Sequence, residues 1–319
     1  MNSNSKTPDR PEFAVLNGNV VPFSEAKISI MAPGLTFAAA VFEGLRAYWN
    51  PDQEQLYVFQ MAEHLERLRY SMRVVELENP PSSDQFASQI LTGLRANKCR
   101  SDTYIRVQSY VDDWGDMIAT GPVGSYVVCR SRGRAPAFIT GKHFAVSSWR
   151  RNADDASPPR IKANGNYLNS RLVGLEAKRN GYDGGIILNR DGSVSEGPGG
   201  CIFIVREKQL ITPPVTAGIL ESITRQTILD LARDLGLDAI ERDIGRTELY
   251  LANEGFYCGT GQEIVPVLSV DRKSLGTGEP GPLTRKLQDA YDRAVRGQDD
   301  TYKNCLTPVY DIKKQEKQK

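Results

Sequence analysis

SPPRIKANGNYLNS, residues 157–170, sets a single lysine, Lys162, between a Pro-Pro pair and an Asn-Gly-Asn-Tyr run. Pro158 and Pro159 hold the backbone extended and forbid a helix at that point. Asn164-Gly165 is a dipeptide that accepts positive φ, which predicts a tight turn. Tyr167 follows, and residues 167–180 predict a helix ending at Gly181. A lysine on so constrained a segment can be aimed, and a partly desolvated lysine can lose its proton and condense with a carbonyl. On these residues alone, a surface lysine beside a turn is the commoner outcome. The rest of the chain has to separate the two.

The chain has 319 residues, enough for a sizeable core and about two domains. Forty basic residues against 39 acidic ones leave a formal charge of +1, so no global field draws in nucleic acid or an anionic membrane. Five cysteines, an odd number without CxxC spacing, argue against a disulfide framework and for a reducing compartment. His64 and His143 are far apart in sequence, and no metal is expected. Residues 1–12 are polar, with no apolar core for a signal peptide, and no apolar run is long enough to span a bilayer. A soluble, cytoplasmic protein is expected.

Working outward, FAVLNGNVVPF (13–23) reads as a hairpin about Asn17-Gly18, and AKISI (26–30) as a further strand. QLYVF (55–59), TYIRVQSYV (103–111) and SYVVCRS (125–131) are strands. Residues 61–75 and 84–97 are amphipathic helices, the second capped by Ser83 or Asp84. DDWGDMIATGPVG (112–124) is a loop, and the stretch 131–141 is an inter-domain connection. Beyond it, strands at 144–149, 184–189, 201–207, 209–212, 239–244, 255–260 and 265–270 mix with helices at 224–236 and 282–297. KKQEKQK (313–319) is a polar, frayed tail. Strands outnumber helices and are often adjacent, which predicts an α+β fold in two lobes. The expected division is a small N-terminal α/β domain (1–130), the connection (131–141), and a larger C-terminal domain (142–319) carrying Lys162.

Gly276-Thr277-Gly278-Glu279-Pro280-Gly281 fits G-x-G-x-x-G, but no buried strand precedes it and too little chain follows for a βαβ unit, so it reads as a loop. In AGILESITRQ, Ser222 or Thr224 opens a helix whose first-turn amides, with the Thr224 hydroxyl, could hold a phosphate; ordinary N-capping is the commoner use. Cys258-Gly259-Thr260-Gly261 offers small residues, a hydroxyl and amides after a strand, or a plain turn. Glu196, in SVSEGPGG, is a cap, a surface charge, or a partner for a ring nitrogen.

These pieces stand in a distinctive order. VFEGLRAY (41–48), EHLERL (63–68), SSWRR (147–151), IKANGNYLNSRLVGLEAKRNGYDG (161–184), SVSEGPGGCIFIV (193–205), TPPVTAGILESITR (212–225) and GTGQEIVPV (259–267) closely resemble the branched-chain amino acid aminotransferases, from about Phe13 to Tyr310. These are fold-type IV pyridoxal-phosphate enzymes. The resemblance implies pyridoxal 5'-phosphate as cofactor, bound covalently by Lys162, whose freed amine then moves the substrate's Cα proton. It implies that Glu196 faces the pyridine nitrogen and Tyr167 the phenolic oxygen, and that Arg67, Ile223, Thr224 and Thr260 hold the phosphate. Tyr104 and the Thr260-Gly261 amides match positions that receive the substrate α-carboxylate. Arg106 matches the arginine that pairs with the distal carboxylate of glutamate, and Phe42 lines the apolar pocket. The implied reaction exchanges the amino group between Leu, Ile or Val and 2-oxoglutarate by a ping-pong route. A homodimer or higher homo-oligomer is implied, with the loop holding Phe37 completing the pocket of the other subunit.

The chain departs from the family at a few positions. Phe37 stands where many relatives carry a tyrosine, Asn253 replaces an aspartate, Gly200-Cys201 differs from the commoner sequence after the glutamate, and a tryptophan often found in the inter-domain loop is missing. Alternatives are another fold-type IV reaction (D-amino acid or (R)-amine transamination, or aminodeoxychorismate cleavage) and a non-catalytic protein that keeps the fold.

Overall fold

The computed structural model describes residues 10–311, so the polar N-terminal stretch before Arg10 and the tail from residue 312 lie outside the described residues. Two compact units divide them: one takes the described residues up to Gly133 together with those from Ala294 onward, the other Arg134–Arg293.

In the first unit, β1 (Phe13–Leu16) and β2 (Asn19–Pro22) form the expected hairpin. Asn17 at φ 48° and Gly18 at φ 83° give the turn its mirror-image hand, which matches strand twist. AKISI does not form a strand: among the described residues β2 is the sheet edge and nothing pairs beyond it, and Ile28 and Ile30 are exposed. The short α1 (Pro33–Thr36) leads into β3 (Ala40–Asn50), β4 (Gln55–Phe59), α2 (Met61–Val74), α3 (Ser83–Ala96), β5 (Thr103–Val111) and β6 (Val123–Ser131). Nearly every residue of β3 is buried, as befits a central strand covered on both faces. Met61, Leu65, Leu68 and Met72 turn one stripe of α2 inward, and Phe86, Ile90 and Leu94 do the same for α3. The α3 cap is Ser82, one residue before either candidate. Its hydroxyl accepts from the Gln85 amide (3.2 Å) while the Gln85 side chain accepts from the Ser82 amide (2.8 Å), and the reciprocal pair outcompetes a cap further in.

The second unit holds α4 (Ala137–Thr140), β7 (Lys142–Arg150), α5 (Tyr167–Arg179), β8 (Gly184–Leu188), β9 (Cys201–Arg206), β10 (Gln209–Thr212), α6 (Ile223–Asp234), β11 (Ala239–Glu241), α7 (Arg246–Leu249), β12 (Glu254–Gly259), β13 (Glu263–Val270), β14 (Lys273–Ser274) and α8 (Pro282–Val295). Its sheet runs β11-β10-β9-β12-β13-β7-β8, with β7 parallel to both β13 and β8. Phe144, Ile186, Ile202, Ile204, Tyr257 and Val267 belong to one core cluster of this unit. The G-x-G-x-x-G segment is a loop after the two-residue β14, as expected.

The last strand, β15 (Leu306–Pro308), does not stay with the second unit. It pairs antiparallel with β4, so the first sheet reads β15-β4-β3-β5-β6-β1-β2. A C-terminal domain running from 142 to the chain end is therefore corrected: residues 294–311 belong to the first unit. The physical reason is the buried Gln55, whose amide nitrogen donates to the Tyr310 carbonyl (2.7 Å) while its Oε1 accepts from the Tyr310 amide (3.0 Å). Arg296 adds a two-pronged ion pair to Asp102 (2.9 and 3.1 Å).

Candidate active site

Lys162 lies between the Pro-Pro pair and α5. Asn166, itself buried, clamps the segment: its side-chain amide donates to the carbonyls of Pro158 (2.8 Å) and Ile161 (3.2 Å), and the Ser157 hydroxyl bonds its Oδ1. The expected positive-φ turn is absent. Residues Asn164–Asn166 form a 3₁₀ turn, and neither Asn164 nor Gly165 is among the positive-φ residues, because the turn runs directly into the right-handed α5. Five residues on, Tyr167 opens α5, and Lys162 Nζ donates to its hydroxyl at 2.8 Å.

Glu196 follows β8 and is fastened by backbone bonds between Ile187 and residues 195–196. Its carboxylate is buried, 5% exposed, with Arg151 Nη2 2.7 Å from one oxygen and the Leu220 amide donating to the other at 3.2 Å. Burial pushes its pKa above the ordinary 4.5, a push opposed by the Arg151 charge, the Leu220 amide and the Lys162 ammonium. Arg151 Nε also donates to the Gly218 carbonyl (2.9 Å) and the Asn189 amide to the Ala217 carbonyl (2.9 Å), so the loop before α6 is wrapped around the carboxylate. Gly200 shows why this turn is built of small residues: a Cβ there would run into the Cys258 carbonyl. The Glu196 turn and the loop after β12 thus lie against each other.

That second loop carries Thr260 and Gly261. The Thr260 hydroxyl is 3.2 Å from the Thr224 hydroxyl in the first turn of the 12-residue α6. Ser222 is the N-cap and accepts from the Arg225 amide (3.2 Å), which leaves the Ile223 and Thr224 amides without acceptors inside the helix. Arg225 turns away to the Pro213 carbonyl (2.8 Å) and Glu241 (2.5 Å). Lys162, Tyr167, Glu196, Ile223, Thr224, Thr260 and Gly261 are thereby assembled within the second unit.

The first unit carries the remaining candidates. Arg67 on α2 forks onto the buried Glu43 (2.7 and 2.8 Å), which also pairs with His64 Nδ1 at 2.8 Å. Burial would raise the Glu43 pKa, but the Arg67 and His64 charges and bonds outweigh it and hold the carboxyl well below the usual range. On β5, Tyr104 packs over Gly44, where a Cβ would fall on its hydroxyl. The Arg106 guanidinium lies over the Phe42 ring at 3.4 Å and donates to Gln108 Oε1 at 2.9 Å. Phe37, at the end of α1, is half-exposed.

Comparison with known proteins bears on this arrangement. The model of the family "Amino-transferase class IV" matches residues 40–270. The chain belongs to the class IV aminotransferases, in their branched-chain group. A probable branched-chain-amino-acid aminotransferase of Aquifex aeolicus is 42% identical over 304 residues, 94% of this chain and 97% of that one. The branched-chain-amino-acid aminotransferase of Escherichia coli K12 is 37% identical over 297 residues, covering 89% and 93%. Among solved structures, the branched-chain aminotransferase of Thermobaculum terrenum in its PLP form superposes with a TM-score of 0.90 at 40% identity, covering 95% of this chain and all of that one. The branched-chain aminotransferase of Thermoproteus uzoniensis with norvaline superposes with 0.89 at 39% identity, with 94% and 100% coverage.

Several members of this aminotransferase's polar framework were missed from sequence. Arg151 lay inside a quoted motif, yet nothing in SSWRR says which arginine turns inward. Glu43 meets Arg67 across 24 residues and His64 across 21, a relation only the packing of α2 on β3 creates. Among the described residues no group of three or more metal-ligating side chains could hold a metal ion, and no helix is long and apolar enough to cross a membrane.

Proposed function

We propose that this chain is a pyridoxal 5'-phosphate-dependent transaminase that exchanges the amino group between branched-chain L-amino acids and 2-oxoglutarate. The observation that carries the reading is the Lys162 amine bonded to the Tyr167 hydroxyl (2.8 Å) in the same unit as a buried, arginine-backed Glu196. The residues fit the cofactor group by group. Lys162 offers an amine to its aldehyde, Tyr167 a hydroxyl to its phenolic oxygen, and Glu196 a carboxylate to its ring nitrogen. The Ile223 and Thr224 amides and the paired Thr224 and Thr260 hydroxyls suit its phosphate. When bound, pyridoxal phosphate supplies an electrophilic carbon and a ring that takes up the electron pair left at Cα.

The chain's own residues do the rest. Lys162 Nζ takes the proton from the donor's Cα in the first half-reaction and delivers one, from the same side, to the Cα that the second oxo acid supplies in the other. Glu196, whose charged form Arg151 favours against burial, stabilises a protonated ring nitrogen. Tyr104 and the Thr260-Gly261 amides bind the α-carboxylate, Phe42 packs on the aliphatic side chain, and Arg106 receives the distal carboxylate of glutamate. One oxo acid leaves before the second enters, which is a ping-pong sequence. None of the five cysteines is in a disulfide, which suits a reducing cytoplasm. Leu35, Phe37, Trp114 and Ile118 are exposed apolar side chains on two segments that meet where Gly115 lies against Pro33, and they suit a homodimer contact. An active monomer in sedimentation would argue against it.

The test is the visible absorption of the holoenzyme. Excess L-leucine is expected to bleach the cofactor band and 2-oxoglutarate to restore it, with parallel double-reciprocal lines in steady state. A band that bleaches with D-alanine or an amine but not with leucine would transfer the chain to another class IV reaction.

A further inference from the structure

Arg106 is a half-buried cation that, among the described residues, has no acidic partner. It is held by a ring and an amide: the Phe42 face at 3.4 Å and Gln108 Oε1 at 2.9 Å. Gln108 is two residues along the same strand, so both side chains stand on one face of the sheet. Register places Gln108 opposite Phe42 on β3 and opposite Tyr126 on β6. The Tyr126 hydroxyl donates to the same Oε1 at 2.9 Å. Two donors converging on one oxygen fix which end of the amide is which. They leave the Gln108 nitrogen, with two N–H groups, without an acceptor among the described residues. Gln108 itself is 8% exposed.

This arrangement has a chemical meaning. A glutamate at 108 would meet Arg106 as a carboxylate, neutralise it and leave nothing for a ligand's charge. A leucine would leave the guanidinium untethered and the Tyr126 hydroxyl without its acceptor. A glutamine does neither: it aims the cation, keeps it uncompensated, and adds a neutral donor beside it. With an aliphatic ligand, Arg106 keeps its place over the Phe42 ring, which suits a cation with no counter-ion. With a dicarboxylate, the guanidinium and the Gln108 amide together offer donors to the distal carboxylate. Phe37 contributes no hydroxyl to that task.

We infer that Gln108, anchored by Tyr126, is the specificity-determining residue that keeps Arg106 available for the distal carboxylate of a five-carbon dicarboxylic oxo acid while the same pocket accepts an aliphatic one. The inference rests on the transaminase reading above. Gln108 is a positioning residue, so the readout is a ratio: kcat/KM for 2-oxoglutarate over kcat/KM for 4-methyl-2-oxopentanoate, measured on the holoenzyme.

In Gln108→Glu that ratio is expected to fall at least about tenfold, through KM for the dicarboxylate, because a like charge now faces the ligand's own. In Gln108→Leu it falls about threefold or more, the loss of one oriented hydrogen bond. A purely structural defect would lower both substrates together and leave the ratio alone. The inference is overturned if the ratio in Gln108→Glu stays within about twofold of wild type. Should that variant fail to fold, judged by the cofactor band and circular dichroism, Gln108→Leu and Tyr126→Phe decide, since both loosen Arg106 without adding charge; an unchanged ratio in both overturns it. A wild-type protein inactive with both oxo acids refutes the transaminase reading instead, so the two failures are told apart.

Discussion

Replacing Arg151 with methionine tests whether Glu196 depends on its buried counter-charge. Both side chains are nearly buried, at 5% and 6% exposed, and 2.7 Å apart. Removing one partner of such a pair costs about 3–5 kcal/mol, because the other charge is left uncompensated. The lost bond to the Gly218 carbonyl adds about 1 kcal/mol. Glu196 has one escape, which is to take up a proton, and this gives the prediction its pH signature. Burial already raises its pKa in the folded protein above 4.5, and without Arg151 it rises further. Over that window the folded state binds more protons than the unfolded chain, so stability falls as pH rises. The variant's deficit in urea unfolding of the cofactor-free protein should therefore be about 4–6 kcal/mol at pH 8 and shrink to about 1–2 kcal/mol at pH 5. Adding Glu196→Gln should recover most of the loss at high pH, as expected of directly coupled partners. A deficit below about 1 kcal/mol at every pH, or one with no pH dependence, would refute this account of the pair.

Glu43 has the opposite sign. Its pKa is held below 4.5, so its contribution is present above that value and disappears as pH falls through and below it. Glu43→Gln should cost about 3–5 kcal/mol near neutrality, only slightly less at pH 4 and clearly less by about pH 2.5, and chemical denaturation across that range measures the decline. Thr224→Val removes one of two hydroxyls 3.2 Å apart and should weaken pyridoxal phosphate binding about tenfold, read by equilibrium dialysis against the cofactor.

What could be read from the chain alone follows from sequence distance. Lys162 and Tyr167 are five residues apart on a segment stiffened by prolines, so their meeting is a local matter. The helices α2, α3, α5 and α6 carry strong apolar periodicity, and their existence was legible, with the ends off by a residue or so. Contacts between strands carry no such trace. Arg151 reaches Glu196 across 45 residues because β7 and β8 lie side by side, and Gln108 reaches Tyr126 because β5 pairs with β6. AKISI alternates as well as any real strand, but alternation cannot say whether a neighbour exists to pair with it. Asn164-Gly165 has turn chemistry, yet the helix behind it dictated the hand of the turn. Leu306–Pro308 is too short to announce itself, and only the open edge of β4 explains its place.

That last strand has consequences for how the protein is made. The second unit is one unbroken stretch, whereas the first is completed by residues synthesised about 160 positions after its main body ends. In chain order the second unit is an insertion, and it can collapse on the ribosome while its host still lacks a strand. Until residues 306–308 emerge, the backbone groups of Tyr57, Val58 and Phe59 face outward as an unpaired edge, the kind of surface on which nascent chains stick to one another. A truncation before Leu306 would make that temporary exposure permanent.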